Sequence, residues 1–310
     1  MVSARDLSRL PVIDLSLFEL GDPWRDQVAA QIDAASSEFG FFYLVGHGIE
    51  PGVIDPLLAA GRRFFSAEEA VKRRLQTQQR ACVEELAARS ADLEHFHFEA
   101  QLGGNGEPVA TATPASGHAF VPEVPGLREP VLDYMRSLTG LSHKLMAMLA
   151  RGLRLADSYF VDRYTGNPAT SFRILNYPPV TAAMRAQSQV ADYRADPGLL
   201  TILKLDASGG LELQSRQQWI PAFPIHNSFV CKIGEALAYL ANGRYAAAAH
   251  RLHNNAATPR LSMSFCFEPA LNAKLEPLAG VTAGASRPQP GDRLSAVDPE
   301  SGHRQIARSG

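Results

Sequence analysis

Cysteine is scarce in this chain: Cys82, Cys231 and Cys266 are the only three, and they lie far apart. Such spacing excludes a disulfide framework and suits free thiols in a reducing cytoplasm. Each reads as a small buried apolar group. A surplus of charge of one sign is also missing. The 30 Lys and Arg against 32 Asp and Glu leave a formal net charge of −2, which gives no reason to expect nucleic acid or an anionic membrane as partner. No apolar run approaches ~18 residues, so no transmembrane helix is expected. Met1 to Leu10 lack the apolar stretch of a signal peptide. Apolar content is 45% over 310 residues, enough to bury a large core as one barrel or sandwich, or as two smaller domains.

The first third reads as helices around one or two strands. Pro11 to Leu15 is a short opening strand, and Gly21-Asp22-Pro23 offers an N-cap with proline at the first helical position. Val28, Ile32 and Ala35 stripe the helix that follows, which should stop near Phe39-Gly40. Phe41 to Val45 is a compact apolar run, Pro51 starts a second helix, and Ser66 to Glu69 is a capping-box pattern for a third. Residues 77 to 122 are less regular and include a Gly-rich stretch read as a long exposed loop. Val131, Tyr134, Met135, Leu138, Leu141, Leu145 and Met148 fall at helical spacing and predict a long helix packed along a sheet. After Thr170 come short runs at Ser171–Tyr177, Leu199–Leu205, Leu211–Leu213, Phe229–Ile233, Ala248–Leu252 and Leu261–Phe267, the rhythm of a sandwich or barrel. The expected division is 1–122 as a helical and strand module, 123–278 as the long helix with the β core, and 279–310 as a tail loosely ordered or lying over the barrel.

The chemistry-bearing residues sit in the last third. If Arg194-Ala195-Asp196 is extended, Arg194 and Asp196 share a face, because residues i and i+2 of a strand do. His250 follows, and then Arg260 and Ser262, again two apart on an apolar strand. A guanidinium fork matches a carboxylate in bidentate fashion, and a nearby hydroxyl adds a third donor. An arginine on such a strand should have a specific anionic partner. Iron of the facial type is held by two histidines and one carboxylate on one face, with open positions beside them; here the carboxylate and one histidine are present in that order, and an arginine takes the other histidine's place.

Seven segments in order carry a family resemblance over roughly residues 8 to 270. They are Pro11-Val12-Ile13-Asp14, Gly40 to Ile49, Asn176-Tyr177-Pro178-Pro179, Asp196 to Thr201, Gly209-Gly210-Leu211, Asn242 to Tyr245 with His250-Arg251, and Arg260 with Ser262. The chain resembles the isopenicillin N synthase-like iron(II)/2-oxoglutarate-dependent oxygenases. The resemblance implies a mixed α and β fold, a distorted double-stranded β-helix (jelly roll) core with flanking helices. It implies an oxidoreductase, a dioxygenase that hydroxylates, desaturates or cyclises a small molecule, with Fe(II) and 2-oxoglutarate as cofactors. Carried over residue by residue, Asp196 and His250 are metal ligands, while Arg260, Ser262 and Tyr177 hold 2-oxoglutarate. Arg194 stands where the family has its first ligand histidine, and a guanidinium has no lone pair to offer a metal. His226-Asn227 replaces the usual Pro-Gly turn, and Glu235 replaces an aspartate.

Other readings stay open beside these. Asp196 can form a salt bridge to Arg194 with no metal, and His250 can be a core histidine bonded to a carbonyl. Asp192 or Tyr193 can stand in as a ligand if the strand entry shifts. His95 and His97 alternate as in a strand, on the surface or towards a pocket. His47 fits a loop role between its glycines, His253 lies away from the site, and Met135, Met146 and Met148 read as packing. The alternative function is a divergent, metal-free pocket or non-oxidative enzyme in which Arg194, Asp196 and Arg260 meet an anionic small molecule, a di-acid or amino acid.

Overall fold

The computed structural model describes residues 10–68, 94–101, 126–177, 179, 195–206, 208–215, 218–252, 258–281, 293–294 and 306–307. Twelve strands and four α-helices lie within these ranges. The strands are β1 (Val12–Asp14), β2 (Phe41–Val45), β3 (Glu94–Gln101), β4 (Ala169–Tyr177), β5 (Leu200–Leu205), β6 (Leu211–Ser215), β7 (Gln218–Ala222), β8 (Phe229–Ile233), β9 (His250–Leu252), β10 (Arg260–Glu268), β11 (Arg293–Leu294) and β12 (Ile306–Ala307). The helices are α1 (Trp24–Glu38), α2 (Pro51–Phe65), α3 (Arg128–Gly152) and α4 (Glu235–Leu240).

Period-two alternation sorts the strand residues into two cores. On β10, Leu261, Met263, Phe265 and Phe267 face one way and join Phe172, Ile174, Leu200, Ile202, Cys231 and Ile233 of neighbouring strands in a large cluster. The helices cover that face. All seven stripe residues of α3 are buried within the cluster, as the sequence spacing predicts. The opposite face carries Phe41, Tyr43, Leu203 and Val230, which pack on Leu211, Leu213 and Ala222 of a second sheet. The large sheet runs β1-β2-β8-β5-β10-β4-β3 and the small one β7-β6-β9. Two facing sheets with helices behind the larger one make the distorted jelly roll expected from the sequence.

Several local features differ from expectation, each for a physical reason. Pro23 takes the N-cap place and Trp24 the first helical position, one residue later than read. Strand β7 was not anticipated because it contains Pro221, which is tolerated at this edge of the small sheet. Strand β3 lies inside the stretch read as irregular and pairs with β4, placing His95 opposite Leu175 and His97 opposite Arg173. Residues 195 and 196 are not in a strand; β5 begins only at Leu200. Pro197 cannot donate to a ladder, and the Asp196 carbonyl instead accepts from the Glu235 N–H at 2.7 Å. The third helix expected from Ser66 onward lies largely outside the described residues, as do Cys82, His253 and most of the tail.

The N-terminal segment is tied to the core by specific polar contacts. Asp33 on α1 accepts from Arg244 Nε at 3.1 Å, Arg244 Nη2 at 2.6 Å and Tyr245 Oη at 3.0 Å. His47 is buried, its Nδ1 accepts from the Ile49 N–H at 3.1 Å, and its Nε2 lies 3.2 Å from the Asn227 carbonyl. That is a loop role, as read from the sequence. Gly40 ends α1 with φ +74°, and a Cβ there would lie 2.3 Å from the Ala246 carbonyl oxygen.

Candidate functional site

The space between the two sheets is polar where the inner face of the large sheet leaves the apolar cluster. Along β10 this face presents Arg260, Ser262 and Cys266; β4 contributes Tyr177 opposite Arg260, and β5 contributes Thr201 opposite Cys266. Next to Thr201 on β8 is Lys232. His250 enters from the small sheet, on β9 opposite Leu213.

Arg260 is the largest fully buried side chain of the described residues, at 0% exposure. Its guanidinium stacks over the Tyr177 ring, 4.9 Å from the centroid. None of its three side-chain nitrogens has a hydrogen-bond partner among the described residues, and the buried Ser262 Oγ has none either. Burial pulls the Arg260 pKa below the ordinary arginine value, with Tyr177 and Asp206 acting the other way. Burial likewise pushes the Tyr177 phenol up to about 12, against the pull of Arg260, so it is a neutral hydroxyl at physiological pH. A buried cation with idle donors beside an idle hydroxyl is a receptor for an anion. These residues fit one carboxylate of 2-oxoglutarate.

Asp196 is held at the entry to α4. Besides the Asp196 carbonyl contact, the Ala236 N–H donates to the Gly198 carbonyl at 3.1 Å and the Gly234 N–H to Leu199 at 3.0 Å. This crossing is too close for a side chain: a Cβ on Gly234 would lie 2.0 Å from the Gly198 oxygen. The carboxylate meets a residue that sequence reasoning passed over. Lys232 Nζ lies 2.7 Å from Asp196 Oδ2, the lysine side chain at 2% exposure and the aspartate at 21%. Burial alone would raise the Asp196 pKa, but Lys232, His250 and a hydrogen bond from Thr201 overcome it and hold the carboxyl well below the usual range. The available signal was a lone lysine inside the apolar run Phe229-Val230-Cys231-Lys232-Ile233, since lysine is almost never fully buried unless paired.

The structure therefore brings together Asp196 and His250, and places Arg260, Ser262 and Tyr177 in one group on the same sheet face. Arg194, Asp192 and Tyr193 lie outside the described residues, and the ion partner of Asp196 that is seen is Lys232. Among the described residues no group of three or more His, Cys, Asp or Glu side chains is gathered as a metal would need. Cys231 and Cys266 are buried free thiols, and Met135, Met146 and Met148 are core.

Comparisons with known proteins bear on the fold and the family. Residues 10–93 match the family model of the non-haem dioxygenase in morphine synthesis N-terminal region, and residues 168–269 match that of the 2OG-Fe(II) oxygenase superfamily. A probable iron/ascorbate oxidoreductase of Dictyostelium discoideum is 30% identical over 89% of this chain and 85% of the relative. Two solved structures share the fold. A Caulobacter crescentus protein of the 2OG-Fe(II) oxygenase family has a TM-score of 0.77 at 23% identity, over 93% of this chain and 95% of its own. A full-length Neurospora crassa protein in complex with alpha-KG and thymine has a TM-score of 0.75 at 22% identity, over 92% of this chain and 93% of its own.

Proposed function

Because this chain belongs to the 2OG-Fe(II) oxygenase superfamily, a family of oxidoreductases whose cofactors are Fe(II) and 2-oxoglutarate, we propose that it binds 2-oxoglutarate at Arg260, Ser262 and Tyr177 and acts on a small molecule admitted between the two sheets. By its motifs we read it as isopenicillin N synthase-like, with Asp196 and His250 as two of the three metal-ligand positions and Arg194, by sequence order alone, at the third. The observation that carries the reading is Arg260, a fully buried guanidinium whose nitrogens have no hydrogen-bond partner among the described residues. Burying a cation costs several kcal/mol, which an anion received there would offset.

The residues divide the work. Arg260 grips the far carboxylate, Ser262 Oγ adds a donor beside it, and the neutral Tyr177 hydroxyl and ring fix the plane of the guanidinium. When bound, 2-oxoglutarate supplies a ketone next to its second carboxylate, which is the end turned away from Arg260. Among the described residues the donor set does not fit iron. Asp196 and His250 offer two donors where three are needed, arginine offers none, and Lys232 already rests on the carboxylate.

Calorimetric titration with 2-oxoglutarate tests the carboxylate reading. Saturable binding is expected, weakened by about 30-fold or more in Arg260→Ala, the equivalent of removing one partner of a buried charge pair. Equal affinity in the variant, or no binding to the wild type, refutes it.

A further inference from the structure

We propose that the Lys232 ammonium takes over the cationic place of a metal in this site, so that the 2-oxoacid binds without any metal ion. This inference rests on the carboxylate reading above and concerns the other end of the same ligand. Lys232 sits on β8 between Phe41 of β2 and Thr201 of β5, on the inner face that also carries Cys266 and Arg260. Its ammonium is 2.7 Å from Asp196 Oδ2, and its side chain is at 2% exposure, too enclosed to swing out to solvent. Asp196 is thereby occupied by a full positive charge that is part of the chain. His250 stands on β9 of the opposite sheet, paired with Leu213 of the inter-sheet core. A divalent ion seated on Asp196 Oδ2 would press against the ammonium, which could not donate a lone pair to it while charged. The ammonium pairs with Asp196 by charge at 2.7 Å, yet Asp196 Oδ2 accepts no hydrogen bond among the described residues, and the three donors of an ammonium can turn to the keto and carboxylate oxygens of a 2-oxoacid. Arg260 and Lys232 lie on the same inner face, with Lys232 two strands from Cys266, six residues along β10 from Arg260, so that each can serve one carboxylate of a dicarboxylate ligand.

The test uses the full chain after dialysis against a chelator. 2-Oxoglutarate is titrated by calorimetry with and without Mn(II), and Mn(II) alone is followed by electron paramagnetic resonance. The expected affinity for 2-oxoglutarate changes by less than about twofold on adding metal, and the free Mn(II) signal stays unquenched near 1 mM, a concentration equivalent to only marginal binding. Lys232→Met is expected to weaken metal-free binding by about tenfold or more, with Lys232→Arg recovering most of it. Binding of 2-oxoglutarate that needs Mn(II), or stoichiometric Mn(II) uptake by the wild type, overturns this inference while leaving the Arg260 reading intact. Unchanged metal-free binding in a folded Lys232→Met protein overturns it too. Absence of 2-oxoglutarate binding under both conditions overturns the Arg260 reading and this inference with it. The wild-type Mn(II) measurement decides the matter even if Lys232→Met does not fold.

Discussion

Replacing Arg260 by methionine should make the ligand-free protein more stable while abolishing its response to 2-oxoglutarate. The guanidinium is at 0% exposure, and among the described residues its desolvation is offset by Tyr177, whose ring centroid lies 4.9 Å away, and by the attraction of Asp206. Desolvated stacking of this kind is worth about 2 kcal/mol or more, whereas the effective penalty of a buried ion is several kcal/mol. Methionine keeps most of the length and none of the charge, and a net gain of about 1–3 kcal/mol is expected, by analogy with apolar replacement of buried ionic groups. At roughly 2 °C per kcal/mol for a chain of this size the melting temperature should rise by about 2–6 °C. The wild type should gain about 2.7 kcal/mol at a 2-oxoglutarate concentration a hundred times its Kd, and the variant nothing. Scanning calorimetry on both proteins, with and without 2-oxoglutarate, reads all four values. A variant that melts below the wild type and still responds to 2-oxoglutarate would show that Arg260 is a structural residue and not a receptor.

Three further outcomes follow from contacts elsewhere. Burial lowers the His47 pKa, against the pull of the Asn227 carbonyl; a histidine with a depressed folded value loses stability as pH falls below its unfolded value of about 6.5. NMR titration should place the His47 midpoint below that value, and His47→Gln should flatten the decline in urea stability between neutral and mildly acidic pH; a raised midpoint would contradict the burial argument. Asp33→Ala strips three hydrogen-bond donors of their acceptor and should cost about 1–3 kcal/mol in urea denaturation, and a loss within experimental scatter would mean the α1 tie contributes nothing. Arg194→His with Lys232→Asn together should create a Mn(II) site visible by electron paramagnetic resonance; its absence would mean that Arg194 does not stand at the third ligand position.

What the sequence reveals depends on whether a signal is local. The alternation of Leu261, Met263, Phe265 and Phe267 against Arg260 and Ser262 announces a strand with one apolar and one functional face, and β10 is such a strand. The stripe of α3 is equally plain, because burial at helical spacing needs no knowledge of the partner surface. Asp196 is harder. Its place in the motif identifies it, but its position is set by Pro197, by the Gly234 crossing and by the α4 backbone, none of which a strand reading includes. Lys232 is hardest of all. Phe229 to Ile233 is buried at every residue, so the lysine is masked by its apolar neighbours, and the aspartate that stabilises it is remote in sequence. The gathering of His250 with Asp196 was legible only through the family pattern, since β9 is three residues long and has little periodicity to read.

Fe(II) brings two positive charges to a site that must hold an aspartate and a doubly charged 2-oxoacid. Here a full positive charge already stands beside Asp196 as the Lys232 ammonium, a group with no lone pair to offer a metal while charged. On the Lys232 proposal, selectivity then rests on the spacing of two fixed cations on one rigid sheet, and hence on the length and charge of the ligand and not on the availability of a metal.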